Sequence, residues 1–161
     1  MPRRLLRDGR IVTDDWSYAG ESADGSAAAL IIAFDQWQSD RDAWRARAER
    51  IGVVLLPADK VEALAPDLPQ LALIAADFPA LGEGRGYSQA RMLREQWKFS
   101  GELRAKGYVR RDQVFFMARC GFNSFELPDG ELEAAQAALA TFSKAYQPSN
   151  DLGLPRKLQR R

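Results

Sequence analysis

The sequence predicts an α/β protein with a parallel sheet of about four βα units, in the form of an open sheet or half of a barrel, and with an N-terminal hairpin. Two observations lead to this class. From residue 52 onwards strand-like and helix-like segments alternate, and the strand-like segments are apolar runs, as expected of strands buried on both faces. The chain has 161 residues, which is enough for one domain with a core but too short for a closed barrel of eight units.

The N-terminal part contains a predicted hairpin, a loop and a first strand–helix pair. Two short apolar runs flank Asp8-Gly9, a dipeptide that suits a type I′ turn. Small, polar and glycine residues predict a loop over 17–28, and the apolar run ALIIAF predicts a buried strand over 29–34. The residues that follow, DQWQSDRDAWRARAERIG, predict one helix with Trp37 and Trp44 on the same face.

Four further strands, each followed by a helical segment, form the repeating part of the prediction. The strands are predicted over 52–56, 71–78, 101–107 and 123–128. The helical segments are predicted over 58–64, 88–97, 110–121 and 129–146, with Ser88 as the N-cap of the second. The chain therefore divides into a hairpin and loop over 1–28, an α/β domain over 29–147 and a flexible basic tail over 148–161.

The composition excludes several classes of chemistry. The chain has 23 Lys and Arg against 22 Asp and Glu, so its net charge is +1 and no general field attracts nucleic acid. It has no histidine and one cysteine, Cys120, so we expect neither a metal nor a cofactor of its own. No apolar run is long enough to span a membrane, and the N-terminus lacks the apolar core of a secretory signal. The predicted location is the cytoplasm.

The stretch GEGRGYSQARML, residues 82–93, is the predicted binding site. In parallel α/β folds sites form where strands end, and here a glycine-rich turn with an arginine joins a strand to a helix. Glycines allow close backbone approach, arginine matches two oxygens of an anion, and a helix N-terminus offers free N–H groups. The residues predicted to bind a small oxyanion are Arg85, Gly86, Tyr87, Ser88 and Arg111. The alternative is that the glycines only form a turn and Ser88 only caps the helix.

Two carboxylates beside this turn, Asp77 and Glu83, are the candidate general acid and base. Other polar residues also follow predicted strand ends, among them Lys106 and Glu126. Cys120 is preceded by two phenylalanines and a methionine, which is typical of a small core residue rather than a reactive thiol.

The block GRGYSQARMLREQWKFSGELRAKGYVRRDQVFFMARCGFNSFEL, residues 84–127, resembles a bacterial family of unknown function whose members are described as oxidoreductases of sulfite reduction. The resemblance is strongest over GRGYSQAR, GELRA, RDQ and RCGF-SFEL. Genes of this family often lie beside the gene for assimilatory sulfite reductase. The resemblance therefore implies a place in sulfur assimilation, without implying a mechanism.

The chain departs from the family pattern at three positions. The family usually has a small apolar residue, an aspartate and a leucine where this chain has Lys106, Tyr108 and Arg110. Because one cysteine cannot hold the iron–sulfur cluster of a sulfite reductase, the resemblance implies an accessory protein that docks on the reductase or handles its oxyanion. The alternative is a small α/β enzyme that acts on a sulfur or phosphate oxyanion. In both cases a homodimer is one way to cover an exposed sheet edge.

Overall fold

One sheet of eight strands forms the frame of the molecule. The computed structural model describes residues 3–21 and 28–145. The strands are Arg4–Arg7 (β1), Arg10–Thr13 (β2), Ser17–Tyr18 (β3), Ala29–Ala33 (β4), Arg50–Leu55 (β5), Leu73–Phe78 (β6), Glu102–Gly107 (β7) and Ser124–Phe125 (β8). Their order across the sheet is β2-β1-β8-β7-β6-β5-β4-β3. Strands β3 to β8 run parallel, whereas β1 is antiparallel to both of its neighbours.

Helical segments connect most of the parallel strands, and a last helix follows β8. They are Phe34–Ser39 (α1), Arg41–Arg47 (α2), Arg85–Arg91 (α3), Val114–Cys120 (α4) and Leu132–Ala145 (α5). A 3-10 segment over Val61–Gln70 joins β5 to β6, a π-helical segment over Met92–Gln96 continues α3, and a 3-10 turn over Asp129–Glu131 precedes α5. Pro66 and Pro69 lie inside the first of these segments, where they cannot donate the hydrogen bonds of a regular α-helix.

The sheet is curled rather than flat. Its two edge strands, β2 and β3, are joined by only three residues, 14–16. Four Cα steps reach at most about 14 Å, whereas the edges of a flat eight-stranded sheet lie about 33 Å apart. The edges must therefore bend toward each other, which gives the sheet a half-barrel form. The segment 14–16 runs across the concave side.

The two faces of the curled sheet bury different residues. Because side chains alternate between the faces of a strand, Ile74 and Leu103 belong to the main core between the sheet and the helices, together with Phe78, Phe122 and Phe125. A smaller apolar cluster lies on the concave face and comprises Trp16, Ala29, Ile31, Leu73 and Ala75. The concave face also carries charged residues, and these form the site described below.

The structure confirms a mixed α/β fold and corrects several details of the prediction. The sheet is not purely parallel, because the predicted hairpin adds two antiparallel strands to the same sheet. The single helix predicted after residue 34 is two helices, since Asp40 ends α1 and its side chain caps α2. Helix α3 begins at Arg85, so Ser88 lies inside it and is not its N-cap. Residues 22–27 of the predicted loop and the predicted tail 148–161 lie outside the described residues.

A buried charged cluster on the concave face: candidate functional site

Strand β7 carries three charged residues on the concave face. Its residues Leu103 and Ala105 belong to the main core, so Glu102, Arg104 and Lys106 point to the opposite side. The parallel register places Arg104 beside Ala75 of β6 and Ser124 of β8, in the middle of the sheet. A strand in the middle of the sheet thus carries an arginine that is fully buried.

The guanidinium of Arg104 binds three carboxylates. Nη1 and Nη2 each donate to one oxygen of Asp14 at 3.0 Å, which makes this pair bidentate. Nε and Nη2 donate to Glu102 at 3.2 and 3.0 Å, and Nη1 also donates to Glu126 at 3.1 Å. Burial opposes the charge of Arg104, but the hydrogen bonds and negative charges of these carboxylates outweigh it and raise its pKa. The guanidinium is therefore fixed in its charged form.

Asp14 reaches this cluster because the chain between β2 and β3 crosses the concave face. Its carboxylate also accepts a bond from Nε of Arg3 at 3.0 Å and from the backbone N–H of Trp16 at 3.1 Å. The Trp16 ring is buried on the concave face and lies under the guanidinium of Arg50, 4.9 Å from its ring centroid. The crossing segment is thus attached to the sheet by ionic and apolar contacts.

Tyr18 connects the edge strand β3 to the opposite side of the curled sheet. Its hydroxyl donates to Glu126 at 2.5 Å. The Arg3 guanidinium lies 5.1 Å and the Lys106 ammonium 4.7 Å from the centroid of its ring. Burial, and then the negative charge of Glu126, raise the pKa of the Tyr18 hydroxyl. Tyr18 therefore stays protonated and serves as a hydrogen-bond donor.

Asp77 and Lys106 lie where β6 and β7 approach their C-terminal ends. They are register partners on neighbouring parallel strands and share the concave face with Arg104. Both are partly exposed, unlike Arg104, so they form the open end of the charged cluster. In parallel α/β folds this end of the sheet is where ligands bind.

A family model matches residues 52–156 of the chain, and it describes a bacterial protein of unknown function (DUF934). The chain belongs to the DUF934 family. The matched part contains Asp77, Glu102, Arg104, Lys106 and Glu126, whereas Asp14 and Tyr18 come from the N-terminal part that precedes it. A search of curated proteins found no match.

The predicted oxyanion turn of this DUF934 protein has a different arrangement from the charged cluster. Arg85 is paired with Glu83, to which its Nε and Nη2 donate at 3.1 and 3.2 Å, and its side chain is 63% exposed. The hydrogen bonds and charge of Arg85 hold the pKa of Glu83 below its usual range. Glu83, a predicted general acid or base, and Arg85, a predicted anion ligand, therefore form an ion pair with each other.

The other residues predicted on this turn serve the packing of α3. A Cβ on Gly86 would lie 2.5 Å from Cζ of Phe78, so glycine permits α3 to approach β6 closely. Tyr87 packs between Phe78 and Phe116, with ring centroids 5.1 and 5.2 Å apart. Ser88 is exposed within the helix. Binding of an oxyanion by these residues stays a prediction.

Arg111 lies on a separate pocket of about 660 Å³ beside the end of β7. Its backbone N–H donates to Glu131 at 3.0 Å, while Arg110 forms an ion pair with the same carboxylate at 2.8 Å. Leu81, Tyr108, Asp112 and Gln113 complete the wall of the pocket. Within the described ranges no group of three acidic or sulfur ligands could hold a metal ion, and no helix is long and apolar enough to cross a membrane.

Sequence reasoning missed Arg104, Asp14, Glu102 and Tyr18 as members of one cluster. One signal was available: charged residues alternate with apolar ones in ELRAK, residues 102–106. Such a pattern predicts a strand with one charged face. In a strand in the middle of a sheet a buried charge must be paired, so the pattern identifies β7 as a charged strand but does not identify the partners of its charges.

Proposed function

We propose that this protein is an accessory protein of assimilatory sulfite reduction that docks on the sulfite reductase. The observation that carries the proposal is a group of large apolar side chains exposed near the C-terminal ends of β6 and β7. Leu81 is 71% exposed, Phe116 51% and Tyr108 41%. Aromatic and large aliphatic side chains of this kind are enriched in the centres of protein interfaces.

These side chains are presented by a rigid support. Phe116 contacts the ring of Tyr87, which in turn packs on the buried Phe78. Leu81 and Tyr108 line the pocket beside the start of α4, the helix that carries Phe116. A preorganised surface loses little conformational entropy when a partner binds. We call Leu81, Tyr108 and Phe116 the apolar edge.

The charged cluster favours an accessory role over reduction chemistry by this chain. All three guanidinium nitrogens of Arg104 donate to carboxylates, so a bound sulfite would have to displace one of these partners. The reductase itself requires a cluster that a chain with one cysteine cannot hold. We infer the identity of the partner from the resemblance to proteins whose genes lie beside the gene for the reductase.

The test is a binding measurement with sulfite reductase purified from the same organism. Leu81→Asp and Phe116→Asp should each weaken binding at least about tenfold, because a charge would be buried in the interface. Leu56→Asp is the matched control, since Leu56 is 53% exposed but lies outside the apolar edge. Wild-type protein that does not bind the reductase, or binding that is unchanged in both variants, contradicts the proposal.

A second candidate, an enzyme that acts on a small oxyanion, is favoured by the pocket that holds Arg110 and Arg111. Calorimetric titration with sulfite, sulfate and phosphate tests it. If the pocket binds the anion, Arg111→Ala should abolish binding and Arg85→Ala should leave it unchanged. If the turn at 82–88 binds the anion, Arg85→Ala should weaken binding by about tenfold to a hundredfold, the loss of a charge-assisted hydrogen bond. No binding at millimolar concentration contradicts both sites.

A further inference from the structure

Two charged side chains at the open end of the concave face lack the ion pairs that their neighbours have. In the described part of the chain, Arg104 binds three carboxylates and Arg3 binds Asp14 and Glu21. The Lys106 ammonium contacts the face of the Tyr18 ring but no carboxylate within the same residues. Asp77 likewise forms no ion pair there. Partly buried charges of opposite sign that stay unpaired favour a ligand that pairs them.

We propose that the open end of the concave face binds a small zwitterion, an α-amino acid with an apolar side chain, between Asp77 and Lys106. The inference goes beyond the proposed docking function and does not depend on it. Asp77 and Lys106 are partners on adjacent strands, and such strands lie about 4.8 Å apart. An α-amino acid carries its ammonium and carboxylate on one carbon. It can therefore place its ammonium on Asp77 and its carboxylate on Lys106 together.

The neighbouring strand supplies an apolar wall. Val54 of β5 packs on the concave apolar cluster and is the register partner of Ala75. The site therefore has a charged side on β6 and β7 and an apolar side on β5. This arrangement matches an amino acid whose side chain is aliphatic rather than charged.

Gly107 leaves room for the Asp77 carboxylate. A Cβ at this position would lie 2.6 Å from Oδ1 of Asp77 and 2.5 Å from the carbonyl oxygen of Phe78. The backbone of Gly107 has a φ of 90°, a conformation that other residues rarely adopt. The end of β7 thus leaves space beside the Asp77 carboxylate that any other residue would fill.

Calorimetry with three ligands of matched shape separates the contributions of the ligand's ammonium and carboxylate to binding. L-Leucine carries both, 4-methylpentanoate only the carboxylate, and 3-methylbutylamine only the ammonium. We expect the wild-type protein to bind L-leucine and to bind each single-charge analogue at least about tenfold more weakly. No binding of L-leucine at about 10 mM, or equal affinity for all three ligands, overturns the proposal.

Variants locate the site. Lys106→Gln and Asp77→Asn should each weaken L-leucine binding at least about tenfold, whereas Lys98→Gln, at an exposed position that precedes the N-terminal end of β7, should not change it. Urea unfolding of each variant shows whether it is folded, and the ligand comparison on the wild-type protein needs no variant. Binding that survives in both Lys106→Gln and Asp77→Asn overturns the assignment. The same variants should bind the reductase normally, so a failure here is distinguishable from a failure of the docking proposal.

Discussion

Arg104 shows how a single residue determines the stability of the concave face. Arg104→Met would leave Glu126 without an ion pair among the described residues, and would leave Asp14 and Glu102 with only Arg3 and Arg7 as partners. Removing one partner of a buried ionic group usually costs about 3–5 kcal/mol, and we expect a loss of that size in the free energy of unfolding, measured with urea. Adding Glu126→Gln to Arg104→Met should recover part of the loss, because it removes the carboxylate that has lost its ion pair. A loss below about 1 kcal/mol would contradict this prediction and would mean that solvent screens the charges of the cluster.

Tyr18 predicts how stability changes at alkaline pH. Its hydroxyl has a raised pKa in the folded protein because of burial and the charge of Glu126, whereas an unfolded tyrosine ionises near pH 10. The folded state therefore keeps a proton that the unfolded state loses, and stability falls as the pH rises above about 10. Tyr18→Phe should be less stable than wild type at pH 8 and should lose less stability between about pH 10 and 11. Parallel pH profiles in urea unfolding would contradict this assignment.

At the scale of elements, Arg94 connects the π-helical segment by hydrogen bonds to neighbouring parts of the fold. Its buried guanidinium donates to the carbonyl oxygens of Phe99, Gly101 and Gly121 at 2.7, 2.9 and 2.9 Å. Burial without a paired carboxylate lowers the pKa of Arg94 to about 10. Arg94→Met should cost about 3 kcal/mol of stability, because three carbonyl groups lose their donor. The exposed Arg85 is the control, and Arg85→Met should change stability by less than about 1 kcal/mol. Equal unfolding curves for the two variants would contradict the role of Arg94.

The elements that the sequence predicted well are those defined by local pattern. The strand predicted over 101–107 is β7 at Glu102–Gly107, and the one predicted over 71–78 contains β6 at Leu73–Phe78. The first is an alternating run and the second is an apolar run, and both are bounded by polar turns. The start of α3 was misplaced because Ser88 has the residue type of a cap, whereas the helix begins after Gly84 without a side-chain cap. Local pattern identifies an element more reliably than it identifies its first residue.

At the scale of the whole molecule, the candidate site depends on contacts that no local pattern contains. Arg104 and Asp14 are 90 residues apart in sequence. They meet only because the sheet curls and the segment 14–16 crosses its concave side. The alternation in ELRAK indicates a charged strand face, but the identity of its partners follows from strand order and curvature. The sequence could therefore predict the class of the fold and part of the charged face, but not the closed network around Arg104.

The proposed accessory role makes a prediction for the cell. Deleting the gene should slow growth on sulfate or sulfite as the sulfur source and leave growth on cysteine unchanged, because cysteine supplies sulfur that is already reduced. The wild-type gene should restore growth.

If docking through the apolar edge is what matters, a gene with Leu81→Asp and Phe116→Asp should not restore growth, although its product is folded and present at normal abundance. The Leu56→Asp gene should restore growth, since its exposed leucine lies outside the apolar edge. Equal growth of the deletion strain on all three sulfur sources would contradict a role in sulfite reduction, and rescue by the double variant would contradict the apolar edge as the docking surface.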